Sequence, residues 1–129
     1  MADSFLTPLI KSPDGPWSLR NASNGALVAG VVETAFERTA RNRGLLGRGG
    51  LGEGHALILA PCNSIHTFFM QFAIDVAFVD RSGQVLRMKT AVRPWRLAFA
   101  LGAFAVVELA AGELRRARIQ PGDRLLVAR

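Results

Sequence analysis

Short apolar segments separated by turn-forming residues constrain the possible fold of this sequence more than any other feature. Residues 55–60, 75–80 and 84–92 are rich in β-branched, aromatic and leucine side chains, and each segment is short for a helix. Turn signals separate such segments, among them Asn24-Gly25 and the run from Asp80 to Gly83. Because the segments do not alternate regularly with helices, the sequence predicts a mainly β fold, α+β by content: a small β sandwich or a partly open barrel.

One capped helix and one short helix interrupt the predicted strands. Thr34 and Glu37 have the spacing of a capping box, so we expect a helix over residues 35–43 that ends at Gly44. A short helix is expected at residues 113–119. Further strands are predicted at residues 17–20, 26–32, 67–72, 97–100, 103–109 and 125–128, with residues 97–100 and 103–109 forming an apolar hairpin.

The chain has 129 residues, half of them hydrophobic, which is the length of one domain with its own core. Residues 17–129 are predicted to form this single β-rich domain, and residues 1–16 an N-terminal arm or edge strand. The longest uncharged apolar run, residues 97–107, has 11 residues, whereas a membrane-spanning helix needs about 20. No membrane span is therefore expected.

Charge and cysteine content restrict the partners and the compartment. Sixteen Lys and Arg residues against ten Asp and Glu residues give a formal net charge of +6, which favours weak attraction to phosphate polymers or anionic lipid. Cys62 is the single cysteine, which excludes an intramolecular disulfide and a four-cysteine metal site. A lone cysteine, with no secretory signal at the N-terminus, predicts a cytoplasmic location.

Several ordered blocks carry a resemblance to a known family. They are residues 43–48 (RGLLGR), 62–70, 72–83, 107–112 and 119–123. Together they resemble the uncharacterised family called domain of unknown function 192, over residues 17–128. The resemblance implies a small, mostly β domain of bacteria and archaea and no established activity. Where many members have Trp-Met-Lys-Asn, this chain has Phe69-Met70-Gln71, so a role of that Lys-Asn pair does not transfer.

Cys62 and His66 are the sharpest candidates for chemistry. A thiolate nucleophile needs a nearby base or positive charge, and His66 could supply either. In an extended strand four residues span about 13 Å, so the two side chains meet only if the chain turns at Asn63-Ser64. With Met70 they form a soft S, N, S set that suits copper(I), whereas zinc normally takes four ligands. The alternative is a buried cysteine, a histidine bonded to backbone and a core methionine.

Asp75 and Glu108 each interrupt an apolar strand. A carboxylate in such a setting faces solvent or is paired, because an unpaired buried charge is costly. One interpretation pairs them with Arg48 or Arg87. The other places both in one pocket, where shifted pKa values would suit acid and base chemistry.

The segment Arg93-Pro94-Trp95-Arg96 combines guanidinium groups with an indole. Such a set can bind single-stranded nucleic acid by stacking and phosphate contact. The chain has no Tyr, only two Trp, and no RNA-binding signature. We therefore interpret the segment as a solvated loop rim rather than a specific nucleic-acid site.

The leading functional hypothesis is a non-catalytic ligand-binding or accessory domain with a small molecule or another protein as its partner. Its site would lie near residues 62–70 and include Arg48, Cys62, His66, Met70, Asp75 and Glu108. The alternative is a small hydrolase or thiol-dependent enzyme that uses Cys62 and His66, with Asp75 as a further candidate. No metal site is predicted, and Cys62 and His66 are the residues that could contribute to one. Cofactor and oligomeric state stay unassigned.

Overall fold

The computed structural model describes residues 3–129 and contains three short helices among ten strands. In chain order the elements are α1 (Thr7–Lys11), β1 (Ser18–Asn21), β2 (Leu27–Ala29), β3 (Val31–Ala35), α2 (Arg38–Arg43), β4 (His55–Leu59), β5 (Ser64–His66), β6 (Ile74–Val79), β7 (Val85–Val92), β8 (Leu97–Phe99), β9 (Ala105–Ala110), α3 (Glu113–Arg116) and β10 (Leu125–Ala128). None of the helices in residues 3–129 is long and apolar enough to cross a bilayer.

A five-stranded mixed sheet in the order β3-β4-β9-β6-β7 forms the centre of the domain. β3 runs parallel to β4, and the other neighbouring pairs are antiparallel. β10, β1 and β2 form a second sheet, while β5 and β8 form a separate pair, the β5–β8 ribbon. These described sheets do not close into a barrel, and the chain is a small, mainly β domain, which confirms the predicted fold class.

Both faces of the central sheet are buried. One face, the sandwich face, packs against the three-stranded sheet, α1 and α3. The other, the ribbon face, lies under α2, the loop that follows it and the β5–β8 ribbon. Alternation along β4 distributes Ala56 and Ile58 to the sandwich face and Leu57 and Leu59 to the ribbon face. A polar residue in a central strand therefore enters one of two distinct cores.

The capping-box prediction is wrong. Thr34 and Ala35 end β3, where they pair with Ile58 and Leu59 of β4, and α2 begins at Arg38. Glu37 is the N-cap residue but makes no side-chain capping hydrogen bond. Pairing with the buried strand β4 outweighs the local capping tendency. The predicted end of the helix is correct: Gly44 has φ +47° and its N–H donates to the Ala40 carbonyl at 2.9 Å.

The strand predicted at residues 67–72 is also wrong. β5 ends at His66, and the buried Thr67 instead fastens the loop, since its hydroxyl donates to the Arg93 carbonyl at 2.6 Å. The predicted 97–100/103–109 hairpin does not form, because β8 pairs with β5 and β9 pairs with β4 and β6. At the N-terminus, Thr7–Lys11 is helical where an arm or edge strand was predicted, and Leu9 is buried in the core.

Candidate functional site

A cavity of about 190 Å³ opens on the ribbon face, between the turn after α2, β5 and β9. Glu108 lies at its base, Leu59 and Met70 form apolar walls, and Arg43, Cys62 and His66 also line it. Four of the six predicted ligand-binding residues therefore share one cavity: Cys62, His66, Met70 and Glu108. They come from β5, β9 and two loops, so the sheet topology brings them together.

Glu108 is the buried carboxyl of this cavity. It pairs in register with Leu57 and Val76, two apolar residues that bury their side chains on the ribbon face, and is itself only 4% exposed. Among the described residues, its Oε1 is buried without a hydrogen-bond partner. Burial raises the pKa of Glu108 to about 7, although the charge of Arg48 opposes the shift. Near neutral pH the carboxyl can therefore either accept or donate a hydrogen bond.

Gly44 brings the turn after α2 over this carboxyl. A Cβ added at Gly44 would lie 4.0 Å from Glu108 Oε1, which is ordinary van der Waals distance. The positive φ of Gly44 turns the chain sharply at the end of α2. The cavity is thus bounded by backbone on the side of α2, where a side chain would leave less room.

Cys62 is half-buried at the edge of the cavity. Its thiol donates to the Ser64 carbonyl at 3.1 Å. Burial raises the pKa of the thiol, and the Ser64 backbone only partly offsets this rise. The predicted nucleophile thus lacks the lowered pKa that would favour a thiolate.

His66 lines the same cavity but is oriented by its own neighbours. Its Nδ1 accepts the Phe68 N–H at 3.3 Å, and its ring stacks on the Phe68 ring with the centroids 5.0 Å apart. Cys62 and His66 are therefore close in the fold, yet each side chain is bonded to a nearby backbone group. Within residues 3–129, no three His, Cys, Asp or Glu side chains are grouped so that they could hold a metal ion.

Asp75 does not belong to this cavity. It is fully buried on the sandwich face and accepts three backbone N–H groups, from Ala91 at 2.8 Å and from Gly112 and Leu114 at 3.0 Å each. Asp75 therefore joins β7 and the start of α3 to the central sheet. The predicted pairing of this carboxylate with an arginine is wrong, because backbone amides satisfy it.

Arg48 forms an ion pair beside the cavity. Its two terminal nitrogens donate to both carboxylate oxygens of Glu33 at 3.0 Å each. This bond lowers the pKa of Glu33 and raises that of Arg48. The other predicted partner, Arg87, donates to the Phe99 carbonyl. Sequence reasoning missed Glu33 because the strand predicted over residues 26–32 stopped one residue before it.

Comparison with known proteins agrees with this architecture. A UPF0127 protein of Thermococcus sibiricus is 33% identical over 112 residues, which cover 83% of this chain and 72% of that protein. A crystal structure of a protein of unknown function from Novosphingobium aromaticivorans superposes with a TM-score of 0.73 at 23% identity, covering 85% of this chain and 82% of that one. A putative transcription regulator from Sinorhizobium meliloti gives the same TM-score and identity, over 84% and 89% of the two chains.

At 23% identity, these two structures establish the shared fold and nothing about activity. The sequence comparison goes further, because the model of the family described as "Uncharacterized ACR" matches residues 19–127, nearly the whole chain. This match confirms the resemblance carried by the RGLLGR block and the segments that follow it. The chain belongs to the DUF192 family of uncharacterised proteins.

Proposed function

We propose that this chain is a non-catalytic domain that binds a small ligand in the cavity above Glu108. One observation carries the proposal: a buried carboxyl oxygen without a hydrogen-bond partner borders an open cavity. Leaving a buried polar atom unsatisfied costs about 1–3 kcal/mol. A ligand that donates a hydrogen bond to Glu108 offsets this cost.

The size and lining of the cavity define the class of ligand. A volume of about 190 Å³ is below the roughly 300–1,000 Å³ of sites for drug-sized ligands. Leu59 and Met70 favour a short apolar body, and Glu108 favours an ammonium or amide N–H at its inner end. Arg43 is exposed where it lines the cavity, which favours an anionic group at the outer end. A small zwitterion with its ammonium group inward meets all three requirements.

The same geometry argues against a thiol-dependent enzyme. The Cys62 thiol donates to Ser64, and its pKa is raised rather than lowered. His66 Nδ1 is bonded to the Phe68 N–H and so is not free to take a proton from the thiol. The proposal therefore gives Cys62 and His66 a binding role at the cavity. The lone cysteine fits a reducing compartment, and the proposal includes a cytoplasmic location.

Four probes of matched size test the proposal: β-alanine, propylamine, propionamide and propionate. Chemical-shift titration of the folded protein at pH 8 should give the tightest binding for β-alanine, weaker binding for propylamine and propionamide, and none for propionate. Glu108→Gln should abolish the preference for the ammonium group, because an amide cannot form the ion pair.

Glu53→Gln, which removes an exposed loop carboxylate, is the matched control and should bind as the wild type does. Shifts that fall outside the cavity would contradict the proposal. So would equal affinity for propylamine and propionate, or an unchanged ranking in Glu108→Gln.

A further inference from the structure

A strip of exposed apolar side chains covers the outer side of the β5–β8 ribbon. The ribbon buries Ala98 and Ala100 against the core and turns its alternate residues outward. We define the apolar strip by five residues, whose exposed fractions are 72% for Phe69, 55% for Trp95, 72% for Leu97, 57% for Phe99 and 86% for Leu101. Large apolar side chains gathered in this way mark an interaction surface, whereas single ones do not.

Contacts along the strip make it continuous. His66 pairs with Leu97 across the ribbon and stacks on Phe68. The Phe68 ring lies 5.8 Å from the Trp95 ring, and the Trp95 ring lies 4.6 Å from that of Phe69, measured between centroids. The aromatic end and the leucine end of the strip therefore form one surface.

The backbone holds the aromatic end in place. Phe69 and Trp95 have φ of +66° and +68°, a left-handed conformation that is costly for bulky residues. The buried Thr67 keeps the loops fixed, because its carbonyl accepts the Trp95 N–H at 2.9 Å and its hydroxyl accepts the Arg96 N–H at 2.9 Å. The outward position of these rings is thus built into the fold.

The charged side chains that accompany the strip are cations. Residues 81–107 contain no Asp or Glu. Arg87 donates to the Phe99 carbonyl at 2.9 Å and lies over the Phe99 ring. A shallow recess of about 320 Å³ adjoins the strip at Leu97, and three exposed cations line it: Lys89, Arg93 and Arg96.

These features discriminate among possible partners. A second copy of the strip would bring like charges together, which is unfavourable. Single-stranded nucleic acid binds by stacking on free aromatic faces, but Leu97 and Leu101 have no ring and Trp95 already contacts two rings. An anionic lipid surface provides a partner for both features. Its acyl chains can receive the apolar side chains of the strip, and its phosphates can bind the cations of the recess.

We propose that the apolar strip and the adjoining cationic recess dock the domain on an anionic lipid bilayer. Leu97, Phe99 and Leu101 enter the acyl boundary, Trp95 lies at the level of the headgroups, and the recess binds a lipid phosphate. This proposal does not depend on the ligand cavity. It adds to the proposed function a place where the domain acts, the surface of a bilayer.

Vesicle co-sedimentation tests the proposal on the full chain. Binding to phosphatidylcholine vesicles that contain phosphatidylglycerol should exceed binding to pure phosphatidylcholine, and salt should weaken it. Arg93→Gln with Arg96→Gln should lower the affinity about 30-fold, taking the usual contribution of each cation near an anionic surface. Leu97→Ser with Leu101→Ser should lower it more than about tenfold. In Trp17→Phe, which leaves Trp95 as the reporter, the emission should shift to the blue on binding.

Matched controls lie on the three-stranded sheet or directly beside it. Leu27, Leu126 and Arg20 are exposed on the sheet, and Arg124 is exposed just before β10. The double variants Leu27→Ser with Leu126→Ser and Arg20→Gln with Arg124→Gln should therefore bind as the wild type does. Inorganic phosphate should compete poorly, because it cannot engage the leucines.

Four results would overturn the proposal: no binding to either vesicle, equal binding to both, equal losses in the control variants, or complete competition by phosphate. Stronger binding to single-stranded oligothymidine, or self-association that Leu101→Ser abolishes, would assign the surface to another partner instead.

Discussion

Asp75 and Glu108 lie one register position apart on the paired strands β6 and β9, and their side chains enter opposite faces of the central sheet. Asp75 pairs with Leu109 on the sandwich face and accepts three backbone amides. Glu108 pairs with Val76 on the ribbon face and leaves Oε1 without a partner. Two carboxyls that look alike in the sequence therefore have different roles, one in stability and one at a cavity.

Glu108 should make the protein less stable as the pH rises. Burial raises its pKa from 4.5 to about 7 in the folded chain. Well below pH 4.5 both states hold the proton; between the two pKa values only the unfolded chain releases it, so the free energy of unfolding falls by about 3 kcal/mol in total. Glu108→Gln removes this dependence. In urea unfolding between about pH 4.5 and 8, the free energy of unfolding of the glutamine variant should increase relative to that of the wild type as the pH rises.

Glu53→Gln is the control for this experiment, since it removes a carboxylate that is exposed to solvent. Its stability curve should run parallel to that of the wild type. A difference between wild type and Glu108→Gln that stays constant with pH would contradict a raised pKa in the folded chain.

Asp75→Ala should destabilise the fold without changing the ligand cavity. The substitution leaves three N–H groups without their acceptor, those of Ala91, Gly112 and Leu114. Each buried, unsatisfied donor costs about 1–3 kcal/mol, so we expect a loss of about 3 kcal/mol or more in urea unfolding. Asp75→Asn, which keeps one acceptor oxygen, should lose less. Unchanged stability in Asp75→Ala would show that solvent replaces the carboxylate.

Arg48→Ala should affect Glu108 more than it affects stability. The Arg48–Glu33 ion pair has both side chains more than a third exposed, so a double-mutant cycle with Glu33→Ala should give only about 0.5–1 kcal/mol. Arg48 lowers the pKa of Glu108, opposing the effect of burial. Its removal should therefore raise the pKa of Glu108, measured by carboxyl carbon NMR titration. Arg38 is an exposed residue of α2, and Arg38→Ala should leave the pKa of Glu108 unchanged.

The sequence predicts the strands of this fold better than their partners. Residues 75–80 and 84–92 are found from composition and from the turn at Asp80, and the Gly83 N–H does close that turn on the Asp80 carbonyl. β8 and β9 are adjacent in the chain and read as a hairpin, yet each pairs with a distant strand. Such pairing depends on non-local contacts that a local pattern does not contain.

The same limit applies to the site. Glu108 and Asp75 are both found as carboxyls in apolar strands, but a shift of one residue in register exchanges the two faces of a sheet. Their faces follow only from the pairing of β6 with β9. Thr34 is not a helix cap because it pairs with β4 as a strand residue. Glu33 is missed because it belongs to the same strand, whose end the sequence places too early.

Cys62 should react slowly with iodoacetamide in the folded protein. The thiolate is the reactive species, and burial raises the pKa of this thiol above its ordinary value. At pH 7 we therefore expect alkylation to be slower than in the urea-unfolded chain. Because the charge of Glu108 adds to the rise in the thiol pKa, Glu108→Gln should react faster than the wild type, whereas Glu53→Gln should not. Alkylation that is faster in the folded wild type than in the unfolded chain would restore Cys62 as a nucleophile and contradict the non-catalytic assignment.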